Sequence, residues 1–159
     1  MERLWAPWRL AYVQEAGAAD GCVFCLEAAG KLGSSSLVVH RGERTIVLLN
    51  KFPYASGHLM VAPTRHVPAL GDLDGDEARE LHELTVRAVA AVGAVYDPEG
   101  FNVGLNLGAV AGGSIASHLH QHVVPRWAGD TNFMPVLADV KVLPEHLEAT
   151  RARLMEAWS

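Results

Sequence analysis

Short apolar runs separated by turn-forming residues follow one another after residue 36. The runs at 37–39, 45–49 and 58–62 have the length and the β-branched content of strands. Gly42 separates the first two runs, and a segment with turn chemistry, 50–57, separates the last two. This pattern predicts three consecutive strands joined by short connections.

A longer segment with helical periodicity comes next. Apolar residues recur at intervals of three and four on one stripe, at Leu81, Leu84, Ala88, Val92 and Val95. Asp74 and, three residues later, Glu77 have the spacing of a capping box, and Asp97 with Pro98 ends the pattern. We expect one long helix between these signals.

The remaining patterns indicate a mixed fold. Residues 101–107 and 118–124 are strand-like, and Pro144 begins a C-terminal helix with Leu154 and Trp158 near one face. Strands that mostly follow one another, combined with one long helix and a C-terminal helix, predict an α+β fold with a mostly antiparallel five-stranded sheet. No glycine fingerprint of a dinucleotide-binding fold or of a P-loop occurs.

The length of 159 residues corresponds to about one domain. We divide it into an N-terminal arm at 1–20, a core at 21–127, and a C-terminal segment and helix at 128–159. No apolar run approaches the roughly 18 residues of a membrane span, and the first residues lack the pattern of a secretory signal peptide. We therefore expect no membrane partner. Because the two cysteines cannot form a disulfide framework, we expect a reducing cytoplasm.

The net charge of −5 comes from one short segment. Residues 72–83 hold six acidic side chains against Arg79, and the other residues carry 12 acids and 12 bases. The acidic balance therefore belongs to one solvated helix face. Since a nucleic-acid-binding surface needs a basic stripe, we expect no nucleic-acid partner.

Histidine is unusually frequent, with eight residues beside three lysines. His118, His120 and His122 alternate along one predicted strand, so their side chains share a face at a spacing of roughly 6.6 Å. The stretch before them, 100–113, is rich in glycine, and Ser114 follows it. Glycines let backbone N–H groups approach an anion, and the serine hydroxyl adds a donor.

Two kinds of chemistry fit three histidines on one face. Two of the side chains can bind a single metal ion. Alternatively, a neutral imidazole can attack phosphorus and form a covalent intermediate, provided that one ring nitrogen is unprotonated and the other donates to a carbonyl. The glycine-rich stretch before the histidines favours the phosphate chemistry.

Three motifs surround these histidines. HLHQHVV fits the signature His-φ-His-φ-His-φ-φ, except that Gln121 takes an apolar place; LLNKFPYASGHLMVAP and FNVGLNL lie upstream. Together they resemble the histidine triad (HIT) family, in which the two upstream motifs correspond to a nucleoside-binding strand pair and to the strand that follows it. The resemblance runs from about Cys22 to Trp127, and within the family the chain looks most like bacterial diadenosine tetraphosphate phosphorylases and hydrolases.

The resemblance implies roles for individual residues. His120 would be the nucleophile that becomes adenylylated, and His122 would contact the α-phosphate and support the leaving group. Ser114, assigned with them to the catalytic group, stands where several family members carry a phosphate-binding glutamine. Asn50 stands where the family binds ribose, and His58 stands close to the phosphate site. The full set of implied substrate contacts is Asn50, His58, Asn106, Gly113, Ser114 and His122.

A second site is indicated by Cys22 and Cys25, which have the spacing of half a zinc knuckle. In zinc-containing family members a histidine after the nucleoside strand and the first triad histidine complete the site; here these are His66 and His118. The resemblance therefore implies a closed, structural Cys₂His₂ zinc site that also fixes the register of His120. No catalytic cofactor is expected, and Mg²⁺ is expected at most as a companion of the substrate.

The resemblance implies a two-step nucleotidyl transfer that cleaves dinucleoside polyphosphates such as diadenosine tetraphosphate. His120 attacks the α-phosphorus, and the nucleotidyl-histidine is then resolved by phosphate or by water. Family members are usually homodimers with a sheet continued across the interface. Trp127 and the segment 128–134 are candidates for reaching the partner's site.

Three alternatives remain open at this point. The first is a nucleoside phosphoramidase or mononucleotide hydrolase of the same family, which shares the nucleophile and differs in the leaving group. The second is a metal-dependent hydrolase or oxygenase with the histidines as open-site ligands, although no carboxylate lies between Gly100 and Trp127. The third is a nucleotide-binding partner protein that does not catalyse a reaction.

Overall fold

The computed structural model describes residues 21–111, 115–130 and 145–158. The predicted arm at 1–20 and two predicted phosphate contacts, Gly113 and Ser114, lie outside the described residues.

The described strands form a single five-stranded sheet. Its order is β1-β2-β3-β5-β4, and every neighbouring pair is antiparallel. This confirms the predicted fold class. The strands are β1 (Val38–Arg41), β2 (Thr45–Leu49), β3 (Leu59–Pro63), β4 (Gly100–Leu105) and β5 (Gln121–Arg126).

Three α-helices accompany the sheet in the described part of the chain: α1 (Val23–Ala28), α2 (Gly75–Tyr96) and α3 (Leu147–Ala157). The long helix α2 packs on β2, β3 and β5, and α3 packs on α2 and β1. None of the described helices is both long and apolar enough to cross a membrane.

Both faces of the central strands are buried. On β2, Val47 and Leu49 belong to the cluster beneath α2 and α3, whereas Ile46 and Leu48 belong to a second cluster that contains Phe24 of α1. Successive side chains of a strand point to opposite faces, so covering both faces requires apolar residues at every position. This explains why β2 and β3 are continuous apolar runs rather than alternating patterns.

The start of α2 matches the predicted capping box. The Asp74 carboxylate accepts the backbone N–H of Glu77 at 2.8 Å, and the Glu77 carboxylate accepts the N–H of Asp74 at 2.9 Å. At the other end, Asp97 adopts a left-handed conformation with φ of 45°, which terminates the helix before Pro98.

Most predicted strand boundaries were displaced by one to three residues, and two of these shifts concern the triad and the strand beside it. Strand β5 begins at Gln121 rather than at His118, and β4 ends at Leu105 rather than at Leu107. The backbone N–H of Leu119 donates to the carbonyl of Val67, in the segment after β3, at 2.6 Å. The first two triad histidines therefore lie on the approach to the strand, and only the third lies within it.

The two edges of the sheet differ. At the β1 edge, Arg151 of α3 donates from Nε to the carbonyl of Val38 at 2.7 Å, and the Trp158 ring stacks on His40 at 5.1 Å between centroids. At the β4 edge, the consecutive residues 102–104 are exposed, including Val103 at 47%. A paired or covered edge resists further strand addition, whereas an open one invites it.

Candidate active site and metal centre

His120 is held in a defined tautomer. Its Nδ1 lies 2.8 Å from the carbonyl oxygen of His118. A carbonyl can only accept, so Nδ1 carries the proton and Nε2 keeps its lone pair. The side chain is 6% exposed, and this burial lowers the pKa of His120, although the hydrogen bond to His118 opposes the shift. These are the properties required of a neutral imidazole nucleophile.

A phenylalanine packs against the same ring. Phe24, which is completely buried, stacks on His120 with 4.8 Å between centroids and 29° between planes. It also contacts His118 in a tilted arrangement at 5.0 Å. No motif in the sequence marked Phe24 as part of the site; its only signal was its place between the two cysteines.

His122 is linked to His58 and, through it, to the backbone of Tyr54. The N–H of Tyr54 donates to His58 Nδ1 at 3.0 Å, so the proton of neutral His58 lies on Nε2. His58 Nε2 is 3.0 Å from His122 Nδ1 and donates to it. The proton of neutral His122 is therefore on Nε2, where it can be donated to a ligand.

The electrostatics of His122 favour its neutral form. Burial, followed by the proximity of His120, lowers the pKa of His122 to about 4. At neutral pH the side chain is thus a hydrogen-bond donor through Nε2–H rather than a charged imidazolium. The Tyr54 ring stacks on His58 at 4.9 Å and limits its rotation.

Gln121, the residue that departs from the triad signature, has a polar partner. Its Nε2 donates to the hydroxyl of Thr85 on α2 at 2.9 Å, and that hydroxyl donates to the Leu81 carbonyl at 2.7 Å. A fully buried amide without a partner would cost about 1–3 kcal/mol. Gln121 is half-buried, so the cost there is smaller, and the hydrogen bond to Thr85 offsets it. The sequence offered one sign of this partner: Thr85 is a polar residue next to the apolar stripe of α2.

The four predicted metal ligands converge. Cys22, Cys25, His66 and His118 place one donor atom each within 4.8 Å of the others. Cys22 Sγ is 3.2 Å and Cys25 Sγ is 3.6 Å from His118 Nδ1, while His66 Nδ1 is 3.4 Å from Cys25 Sγ and 3.2 Å from His118 Nδ1. This cluster does not include His120 or His122.

These separations fit a tetrahedral zinc ion. Bonds of about 2.05 Å to nitrogen and about 2.3 Å to sulfur separate two nitrogens by about 3.3 Å and a nitrogen from a sulfur by about 3.6 Å. His118 is also prepared for ligation, because its Nε2–H donates to the Pro63 carbonyl at 2.8 Å and leaves Nδ1 unprotonated. Partial burial and the neighbouring Cys22 raise the pKa of Cys25, which disfavours a reactive redox thiol.

An ion pair beside His66 was not anticipated from the sequence. Arg65 donates from Nε and Nη2 to the two carboxylate oxygens of Glu77 at 2.9 and 2.7 Å. Glu77 is 4% exposed, and the Arg65 guanidinium is the main cause that lowers its pKa to about 2. The capping box had identified Glu77 as a helix signal, but not as the anchor of the segment that carries His66.

The predicted nucleoside-binding residues occupy the neighbouring loops. Asn50 is buried at the end of β2, and its Oδ1 accepts the backbone N–H of Phe52 at 2.9 Å. Asn106 is half-buried and directly follows Leu105, the residue of β4 that pairs with Gln121. Asn106 therefore lies beside the triad strand, and Asn50 is joined to the triad through His58, whose carbonyl accepts the Asn50 N–H at 3.0 Å. The Asn50 side chain also shapes its own turn.

Comparison of the sequence with known proteins gives consistent matches. The profile of the HIT domain matches residues 32–129. A protein named AP-4-A phosphorylase from Mycobacterium tuberculosis (strain CDC 1551 / Oshkosh) is 43% identical over 166 aligned residues, which cover 100% of this chain and 85% of the relative.

Solved structures share the fold. A Zn-bound histidine triad family protein from Mycobacterium smegmatis superposes with a TM-score of 0.70 at 24% identity, covering 87% of this chain and 93% of that chain. A hypothetical histidine triad nucleotide-binding protein from Sulfolobus tokodaii strain7 has a TM-score of 0.70 at 25% identity, covering 86% and 91%.

Proposed function

The chain belongs to the HIT domain family, and from this membership we propose that it cleaves dinucleoside polyphosphates such as diadenosine tetraphosphate by nucleotidyl transfer to His120. The observation that carries the proposal is the hydrogen bond from His120 Nδ1–H to the His118 carbonyl, which leaves Nε2 as a nucleophile. The 43% identical relative, named AP-4-A phosphorylase, supports the choice of substrate.

In the first step, His120 Nε2 attacks the α-phosphorus. A phosphorus–nitrogen bond forms, and the bond from phosphorus to the bridging oxygen breaks, so that its electron pair leaves with the nucleoside polyphosphate. The Nδ1–H bond to the His118 carbonyl stabilises the positive charge that develops on the ring. His122 donates from Nε2–H toward the phosphate oxygens or the leaving oxygen; because polyphosphates leave as stable anions, this donation does not require complete proton transfer.

In the second step, an oxygen of inorganic phosphate attacks the same phosphorus. The phosphorus–nitrogen bond breaks, its electron pair returns to Nε2, and ADP is released; attack by water would instead give AMP. We favour phosphate as the acceptor because the 43% identical relative is named a phosphorylase, the term for an enzyme that cleaves with phosphate. Mg²⁺ enters this scheme only with the polyphosphate.

Replacement of His120 by alanine tests the nucleophile. We expect turnover of diadenosine tetraphosphate to fall by roughly four orders of magnitude, because no other group supplies the attacking nitrogen. Quenched wild-type reactions should contain protein whose mass is increased by one adenylyl group on His120, and isotopically labelled phosphate should appear in ADP. The matched control is alanine at His82, an exposed histidine on α2.

Near-normal activity of the His120→Ala protein would exclude the proposed nucleophile. Binding of the nucleotide without any adenylylated protein would support the non-catalytic alternative. Faster cleavage of adenosine phosphoramidate than of the dinucleotide would support the phosphoramidase alternative.

We further propose that the four-ligand cluster holds a structural zinc ion. Bound there, zinc would connect α1, the segment after β3 and the approach to β5, with no open coordination position for substrate. Thiolate ligands are stable under reducing conditions, in keeping with the proposed cytoplasmic location.

Metal removal distinguishes this reading from a catalytic metal. After chelation we expect the melting temperature to fall, while the protein that remains folded keeps measurable activity at a temperature below its new transition. Complete and immediate loss of activity in folded protein, restored by metal, would favour the open-site alternative.

We also propose a homodimer in which β4 continues the sheet. The exposed β4 edge, contrasted with the β1 edge covered by Arg151, supports this choice. The turn after β5 is held to β4, because Arg126 bonds both Asp130 and Asn102. This places half-buried Trp127 near the proposed interface; the distal part of the segment 128–134 lies outside the described residues.

A further inference from the structure

Phe24 lies between the two metal-ligand cysteines in sequence and against the nucleophile in space. We propose that Phe24 is a positioning residue through which the metal site sets the orientation of the His120 ring; this inference rests on the proposed function. The metal would thus contribute to turnover without touching the substrate.

The contacts of His120 show why a stacking partner is needed. The bond from Nδ1–H to the His118 carbonyl fixes the tautomer and anchors one edge of the imidazole. One hydrogen bond does not prevent the ring from tilting about that anchor. The Phe24 face, at 4.8 Å and 29°, restricts this tilt and so aims Nε2. Attack on phosphorus depends on alignment, and a displacement of about 1 Å can cost about 100-fold in rate.

The position of Phe24 in turn depends on the cysteines. Helix α1 has only six residues, and its N-cap residue, Cys22, makes no capping side-chain hydrogen bond. Such a short helix is unstable by itself and needs tertiary contacts to hold it. At its C-terminal end, the Glu27 carboxylate accepts the Ser36 hydroxyl at 2.6 Å and the Leu37 N–H at 2.8 Å. At its N-terminal end, the corresponding attachment is the cysteine cluster.

The same metal would also hold His118, the second residue that restrains the His120 ring. His118 is a member of the cluster, contacts Phe24 at 5.0 Å, and provides the carbonyl that anchors His120. Ligation of Cys22, Cys25 and His118 therefore fixes both the aromatic face and the backbone anchor of the nucleophile. If Phe24 only packed in the core, its replacement would lower the stability of the protein and nothing else. If Phe24 positions His120, its replacement also changes the orientation of the His120 ring.

The test compares Phe24→Leu with Ile46→Ala in zinc-loaded protein. Ile46 belongs to the same buried cluster, and its cross-strand partners are Arg41 and Ala62 rather than triad residues, so its replacement reproduces loss of packing. For Phe24→Leu we expect kcat to fall about tenfold with a smaller change in KM, and the ¹⁵N signals of His120 to broaden or shift. Ile46→Ala should lower stability while leaving kcat and these signals near wild type. If Phe24→Leu does not fold, Phe24→Met provides the milder change.

Zinc removal from the wild type and from the Phe24→Leu protein, each assayed below its melting temperature, completes the test. In wild type we expect removal to lower kcat about tenfold and to change the His120 signals in the same direction as Phe24→Leu. In the Phe24→Leu protein, removal should then have little further effect on kcat, because the connection is already lost. Independent, multiplicative effects of the two changes, or unaltered His120 signals in Phe24→Leu, would overturn the inference. The ¹⁵N signals of His120 are recorded without substrate, so they test the positioning of the ring even if the proposed reaction does not occur.

Discussion

Neighbouring imidazoles of the triad present opposite nitrogens to their surroundings. His118 donates from Nε2 to Pro63 and turns Nδ1 to the cysteines, whereas His120 donates from Nδ1 to a carbonyl and keeps Nε2 unprotonated, as the proposed attack on phosphorus requires. The carbonyl that accepts from one ring nitrogen thus decides which nitrogen stays unprotonated, and so whether an imidazole suits the proposed metal site or the proposed nucleophilic attack. The same reasoning assigns His122 as a donor, because His58 occupies its Nδ1.

Replacement of His58 by phenylalanine tests this chain of hydrogen bonds. The ring keeps a flat face for Tyr54 but can neither accept from its backbone nor donate to His122. We expect kcat to fall about tenfold, the equivalent of one hydrogen bond, with the tautomer of His122 redistributed in ¹⁵N spectra. An unchanged His122 tautomer in the folded variant would contradict the assignment; the control is Ile46→Val.

Residue types in the site were predictable, whereas their partners were not. The spacing of the triad and the pair of cysteines are visible in one dimension, and the resemblance supplied His66 and His118. The bond from His58 to His122 joins residues 64 positions apart, and Thr85 satisfies Gln121 across 36 positions. Such pairings depend on how α2 and β3 are packed against β5, which no local pattern encodes.

At the scale of elements, the N-terminus of α2 anchors the segment that leaves β3. Glu77 closes the capping box and also binds Arg65, the residue before His66. Strands β2 and β3 and helix α2 were predicted because long apolar runs and a capped helical stripe are strong local signals. Helix α1 was missed because six residues are too few for periodicity, and the start of β5 was misplaced because tertiary bonds of Leu119 replace the ladder.

Replacing Glu77 by glutamine tests this anchor. We expect the free energy of unfolding at pH 7 to fall by about 1–3 kcal/mol, because Arg65 loses its charged partner and the buried amide of glutamine offers one acceptor oxygen where the carboxylate offers two; the exposure of Arg65 limits the loss. The folded-state pKa of about 2 lies below the ordinary value of 4.5, so the contribution of Glu77 is complete above pH 4.5 and is lost as the pH falls towards 2.

Urea unfolding at several pH values measures both effects. The variant should show a shallower loss of stability between pH 4.5 and about 2 than the wild type. Glu83→Gln, on the exposed face of α2 beside Arg79, is the control and should cost less than about 0.5 kcal/mol. Equal stability and equal acid sensitivity of the Glu77 variant and the wild type would refute the anchoring role.

At the scale of the whole molecule, the acidic segment and the strand edge proposed for association lie in different regions. The acidic segment at 72–83 lies at the start of α2, and Glu80 there accepts the N–H groups of Glu43 and Arg44 in the β1–β2 turn. The exposed strand β4 lies at the far edge of the sheet from β1. The edge proposed for dimerisation is therefore not next to this turn and is not subject to its local negative charge.

Introducing lysine at Val103 tests the proposed dimer. A charge on the exposed β4 edge should oppose strand pairing, so light scattering after size exclusion should show a shift from dimer to monomer mass. Val86→Lys, an equally exposed change on α2, should leave the mass unaltered. A monomeric wild type would contradict the dimer, and a dimer insensitive to Val103→Lys would contradict the use of β4.

The wide spacing of the four proposed metal ligands has a consequence for biosynthesis. Cys22 and His118 are separated by 96 positions, so the cysteines leave the ribosome long before the last ligand is made. A nascent chain offers an ion at most three of its four ligands until His118 has emerged, and His120 emerges immediately afterwards. If the proposed metal binds there, its full coordination would coincide with synthesis of the triad, and metal supply during translation should influence the yield of correctly folded protein.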